Sequence, residues 1–163
     1  MKRLCLSFIT LVLILTGCIS GRSGVVMQFN DEAALTGDLP VNPLRWGVIT
    51  CGANPQESTM STLFGNDIAV RHSRTDSAGG YPPGAVLSFV TWQQQEDGRW
   101  FGAKMPARLK SVEFVEFSSS EEGHSTVRYR LYSGYPLKDV ASLEGPTDAR
   151  VAHLVSLRAA VMP

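Results

Sequence analysis

The run from Ala85 to Trp92 (AVLSFVTW) constrains this chain more than any other stretch. Its two alternating faces are Ala85, Leu87, Phe89, Thr91 and Val86, Ser88, Val90, Trp92, and both are mainly apolar. Apolar residues on both faces of a strand must be covered on both sides, so the run predicts a central strand. Tyr81-Pro82-Pro83-Gly84 precedes it. Proline sets φ and glycine supplies the unusual φ, which makes a tight turn. The chain then turns polar over Gln93 to Arg99, with a turn at Asp97-Gly98, and returns to apolar at Trp100-Phe101-Gly102-Ala103. Pro106 is expected to interrupt pairing, because it lacks an amide hydrogen.

The remaining elements follow from the same reading. Leu44–Cys51 and Ser58–Phe64 read as strands, separated by Gly52-Ala53-Asn54-Pro55. Asn30-Asp31-Glu32 caps a single helical turn over Ala33 to Leu35, and Gly65-Asn66-Asp67 caps a short helix over Ile68–Arg74. Ile68, Ala69 and His72 share one face of that helix. In Ser111–Phe117, Val112 and Phe114 alternate with Ser111 and Glu113, after which Val115 and Phe117 fall on the Glu113 face. That slip predicts a β-bulge. Ser118–Ser125 is a polar hairpin loop. Thr126–Tyr132 alternates Val127, Tyr129 and Leu131 inward with Arg128, Arg130 and Tyr132 outward, the pattern of a strand wet on one face. Gly134–Pro146 is loop, and Ala149–Val161 is a last helix with Val151, Leu154, Val155 and the stem of Arg158 as its stripe. The class is α+β: an antiparallel sheet with a few short helices packed against one side.

The N-terminus speaks to location. Lys2 and Arg3 precede an apolar run, Leu4 to Leu15, that is shorter than the roughly 20 residues of a bilayer-spanning helix. It ends in Leu15-Thr16-Gly17-Cys18, which resembles a bacterial lipoprotein signal. The resemblance implies cleavage before Cys18, with residues 1–17 as the signal peptide and Cys18 acylated. Residues 18–24 read as a flexible tether and 25–163 as one domain, with Val25–Phe29 as a first strand or extended arm. Ile19, rather than Asp, after the cysteine implies the outer membrane, with the domain facing the periplasm. The chain has 15 basic and 15 acidic residues, and loss of Lys2 and Arg3 leaves a formal charge of −2. No basic patch points to nucleic acid as a partner. With Cys5 removed and Cys18 acylated, Cys51 is left alone and is expected to be buried.

Gly65-Asn66-Asp67-Ile68-Ala69, then Tyr81-Pro82 and Gly84 leading into Ala85 to Val90, resemble the cytochrome P-460 family. Trp100-Phe101-Gly102-Ala103, Pro106 and Ser111-Val112-Glu113-Phe114 extend the resemblance, which covers Leu44 to Leu131. It implies a periplasmic, mainly antiparallel fold with a haem against the sheet, held by a C-x-x-C-H motif and, in some members, a lysine on the sheet. This sequence has no C-x-x-C-H and no lysine in AVLSFVTW. The expectation is a haem-less branch: a non-enzymatic lipoprotein that binds a small ligand or an envelope protein. The alternative is a redox or gas-binding protein with non-covalent haem, ligated by His72 or His153.

Each candidate residue carries two readings. His72 is either such a ligand or a half-exposed helix histidine, and His153 a ligand or a surface residue beside Leu154. His124 lies in the polar loop. The three histidines lack the close spacing of a zinc site. Glu113 and Glu116 sit in an apolar strand. Either is an acid or base raised by burial, or a structural carboxylate paired with Lys104, Arg108, Arg128 or Arg130. Trp92, Trp100, Phe101 and Met105 either line an apolar pocket or belong to the core.

Overall fold

A computed structural model describes residues 30–75, 80–119, 125–140 and 147–160. The expected signal peptide, Cys18, the expected tether, the 25–29 run and His124 lie outside the described residues. Six strands form one antiparallel sheet in sequence order: β1 (Gly47–Asn54), β2 (Thr59–Gly65), β3 (Val86–Glu96), β4 (Lys104–Ser119), β5 (Ser125–Ser133) and β6 (Lys138–Asp139). Two helices, α1 (Asp67–Arg74) and α2 (Thr147–Ser156), complete the set with two 3-10 turns, Asp31–Ala33 and Pro43–Arg45. None of the described helices is long and apolar enough to cross a membrane.

As its sequence requires, β3 is central and covered on both sides. On one face Leu87 packs with Ile49, Leu63, Val115, Phe117 and Leu154, under α1 and α2. On the other, Val90 and Trp92 pack with Phe64, Leu109, Val112, Phe114 and Tyr132. This second face is covered by coil rather than helix: Ala33, Leu35, Leu39 and Trp46 close over it. The Trp92 indole N–H donates to the Ala33 carbonyl at 2.9 Å, which ties the covering segment down.

The local chemistry of α1 is that of a capped helix. Asn66 Oδ1 accepts from the Ala69 amide at 3.0 Å, as the residues predict, and also from Val86 at 3.2 Å, while Asn66 Nδ2 donates to the Gly84 carbonyl at 2.8 Å. One side chain therefore joins the helix start to the turn before β3. Gly84 takes φ +85°, which a residue with a Cβ would resist. Its amide donates to Phe117 at 2.7 Å, fixing the turn to β4. Gly65 is required for a different reason: a Cβ there would meet Ile49 Cδ1 at 2.7 Å and the Ala69 Cβ at 2.9 Å.

Seven expectations are corrected. The last helix spans Thr147–Ser156 and stops short of its expected end, and Lys138–Asp139, expected as loop, forms β6. Ser111–Phe117 contains no bulge: it pairs in unbroken register with Val86–Thr91 and with Val127–Ser133. Its phase slips because both faces are buried, so apolar residues are free to occur at either parity. The irregularities lie between Thr91 and Gln94, where β4 carries the extra residues. Pro106 does not end the strand but pairs opposite Gln94 beside that irregularity, and its carbonyl accepts from Asn30 Nδ2 at 2.6 Å. β5 is not wet on one face. Tyr132 is buried against Phe114, ring centroids 5.7 Å apart, and Val127 is exposed. β1 begins after a 3-10 turn at Pro43–Arg45 and runs on through Asn54, whose side chain accepts from the Gln56 and Glu57 amides and closes the hairpin. Finally, Cys51 is exposed. It lies on the sheet's first strand, where Ile49 alone is fully buried, so an apolar run there does not imply cover.

Candidate functional site

The helix-covered face of the sheet carries one buried carboxylate. Glu113, on β4, is 4% exposed. Arg150, near the start of α2, reaches it with two hydrogen bonds: Nε donates to Oε2 at 2.8 Å and Nη2 to Oε1 at 2.6 Å. The Tyr129 hydroxyl, from β5, donates to Oε2 at 2.7 Å. Both oxygens are engaged, as burial of a charge demands. Burial and the bond to Glu113 push the Tyr129 hydroxyl well above its usual range. The bonds to Glu113 likewise hold the Arg150 guanidinium above its ordinary value. Glu116 pairs with Arg130, one of the arginines expected from the sequence. Glu113 does not use those arginines, because they are on the opposite side of the sheet or beyond reach of its face.

Beside this network α2 and the β1–β2 end of the sheet enclose a cleft of about 290 Å³. Thr59, Ser61 and Phe89 line it from the sheet, Glu57 from the β1–β2 turn, and Arg150, His153 and Leu157 from α2 and the chain just after it. Cys51 borders it as well, but its register opposite Thr62 and, through it, Val90 puts its side chain on the other face. The Arg150 guanidinium carbon sits 5.3 Å from the centre of the Phe89 ring, a cation–π contact. The Ala160 amide donates to the Ile49 carbonyl at 2.8 Å and holds the chain beyond α2 against β1. Glu113 is not among the residues lining the cleft. The walls therefore offer hydroxyls, an imidazole, one aromatic face and the carboxylate of Glu57, with the arginine's charge balanced from below.

The sequence candidates are dispersed. His72 rests against Tyr81, ring centroids 4.7 Å apart, and Tyr81 stacks on Phe117 at 5.3 Å. His153 lines the cleft and is exposed. The two histidines occupy different helices with different surroundings. These residues do not fit a haem: the face that would receive it is filled by Leu63, Leu87, Val115 and Phe117 under the helices. Nor are Trp92, Trp100, Phe101 and Met105 brought into one pocket. Trp92 is buried in the second core, and Met105 lines a shallow cleft with Asn30 and Asp97. Trp100 and Phe101 project from the β3–β4 turn, Trp100 70% exposed and Phe101 fully so.

Arg150 and Tyr129 are the members that residue reading missed. A signal for Arg150 was present: it lies four residues before Leu154, on the buried stripe of α2. A charge on such a stripe needs a buried partner. No protein-family model matches the chain, and no curated protein matches it.

Proposed function

We propose that this protein is an outer-membrane lipoprotein, cleaved before Cys18 and anchored by acyl groups there. Its domain is a haem-less, cytochrome P-460-like binding module that takes a small ligand in the cleft beneath α2. The observation that carries the binding reading is the cleft itself. Its volume of about 290 Å³ lies at the small end of ligand sites, and its walls combine an aromatic face with a few polar groups. Binding is favoured over catalysis because the buried carboxylate next to it has both oxygens occupied by Arg150 and Tyr129. The LTGC sequence supports the anchor, and the antiparallel sheet with two helices on one face is compatible with the family resemblance.

Three measurements test the reading. Cys18→Ser should move the chain from the membrane to the soluble fraction; continued membrane association would count against lipidation. Native mass spectrometry of the chain purified from envelopes should find a retained small molecule, lost from Ser61→Trp, which fills the cleft. A bare mass, or retention unaffected by Ser61→Trp, would count against the cleft as the site. A Soret band from chain produced with abundant haem, lost in His72→Ala or His153→Ala, would favour the haem-binding alternative instead.

A further inference from the structure

The β3–β4 turn is the most exposed apolar feature among the described residues. Asp97 to Ala103 forms a compact loop. The Asp97 amide donates to the Ala103 carbonyl at 2.9 Å, and Ala103 donates to Trp100 at 3.0 Å. Gly102 takes φ +74° and lets the chain reverse. This geometry turns Trp100 and Phe101 outward, at adjacent positions and away from both cores. Single exposed apolar residues are ordinary, but two adjacent aromatics on a braced tip are an unpartnered surface.

The charges of the loop itself are paired off. Arg99 Nε lies 3.3 Å from Asp97 Oδ1, and Lys104 pairs with Glu96. The loop therefore presents aromatic area with no net charge of its own, beside the carboxylates of Asp31 and Glu32. A tryptophan beside a second aromatic and flanked by long basic side chains is the composition of a membrane–water interface contact.

The path of the chain says which surface lies nearby. Asn30, the first described residue, donates to the Pro106 carbonyl at the base of this hairpin. Asn30, Asp31 and Glu32 share a shallow cleft with Asp97, Gly98 and Arg99. The domain is thus entered beside the aromatic tip. Cys18 lies twelve residues upstream, and twelve residues span at most about 40 Å however they are arranged. A lipid on Cys18 would hold this end of the domain within about 40 Å of the bilayer.

We infer that Trp100 and Phe101 form a second membrane contact, inserting into the lipid interface beside the anchor and orienting the domain on the membrane. The inference rests on the lipidation reading for its geometry. The contact is apolar, so it persists at high salt, unlike the attachment of a basic patch.

The test uses the full mature chain in vesicles of phosphatidylethanolamine and phosphatidylglycerol whose acyl chains carry bromine, a short-range quencher of tryptophan. The mature chain holds three tryptophans, Trp46, Trp92 and Trp100. Emission should shift to the blue and be partly quenched, at low and high salt alike. Trp100→Ser should abolish that quenching while leaving the fold intact, because the side chain packs on neither core. Equal emission from brominated and plain vesicles overturns the contact, and leaves a protein partner as the reading of the tip. Quenching that survives in Trp100→Ser overturns it as well. The mass of the same preparation separates the two readings. Acylated Cys18 without quenching sinks the hairpin contact alone, quenching without acylation sinks the anchor alone, and neither signal sinks both.

Discussion

At the scale of single residues, Glu113 decides the most. It is buried, yet its charge is met by a two-pronged arginine and a tyrosine hydroxyl. Removing one charge of a buried pair strands the other. Arg150 keeps 37% of its side chain in solvent, so its loss of partner is softened. Glu113→Gln should then lower stability by about 2 kcal/mol, read as a shifted urea midpoint with an unchanged slope. A change within a few tenths of a kcal/mol would mean that the pair only offsets its own desolvation. Tyr129 adds a pH dependence whose sign is fixed. Its hydroxyl titrates higher in the folded chain than the ordinary value of 10.0, so above that pH the native state holds a proton that the unfolded chain releases. Stability is undiminished by this group below about pH 10 and falls as pH rises beyond it. Tyr129→Phe should flatten that alkaline decline, as followed by denaturation midpoints against pH; an unaltered slope would place the effect elsewhere, with Tyr81 next, since burial raises it too. The sequence exposed Glu113 as unusual but hid its partner. Arg150 stands 37 residues away, and the pairing exists only once α2 has folded back over β4.

Among the elements, those defined by their own residues were the most legible. α1 starts where Asn66 can cap it, and the turn before β3 sits where Gly84 allows a positive φ. Both properties are local and survive in the sequence alone. Asn66 goes beyond a cap because the same amide group also holds Val86 and Gly84. Loss of a cap costs about 1 kcal/mol, and the two further bonds raise the expectation for Asn66→Ala to about 2 kcal/mol. Thermal denaturation measures it. Asn66→Asp separates the contributions, since it keeps the acceptor and loses the donor to Gly84. A full loss in Asp would assign the stability to the turn rather than the helix. The strands were harder to read where cover came from distant chain. β4 seemed to slip phase and β5 seemed half wet because the segment from Ala33 to Trp46, which closes the second face, has no periodicity that announces it. Cys51 failed in the opposite direction: an apolar run suggested burial, but β1 is the first strand of the sheet and little covers its far end.

At the scale of the molecule, the sheet is a platform with two unlike covers, and α2 is the one that forms a wall of the cleft. Three attachments hold it. Leu154 is fully buried among the side chains of the helix-covered face, Arg150 is clamped on Glu113, and beyond the helix Ala160 bonds to Ile49. If these act on one docked unit, detaching the helix by one route removes what the other could lose. Leu154→Ala alone should cost about 3 kcal/mol, as a buried leucine truncation does. Combined with Glu113→Gln, the total should fall short of the two separate losses by about 1 kcal/mol or more, the coupling expected of sites that share one element. Urea unfolding of the four chains of this cycle gives the coupling directly. Additive losses would mean that α2 is held piecewise. Coupled losses would make α2 one docked unit, a wall of the proposed binding site held in place by an ion pair buried behind it on the Glu113 side.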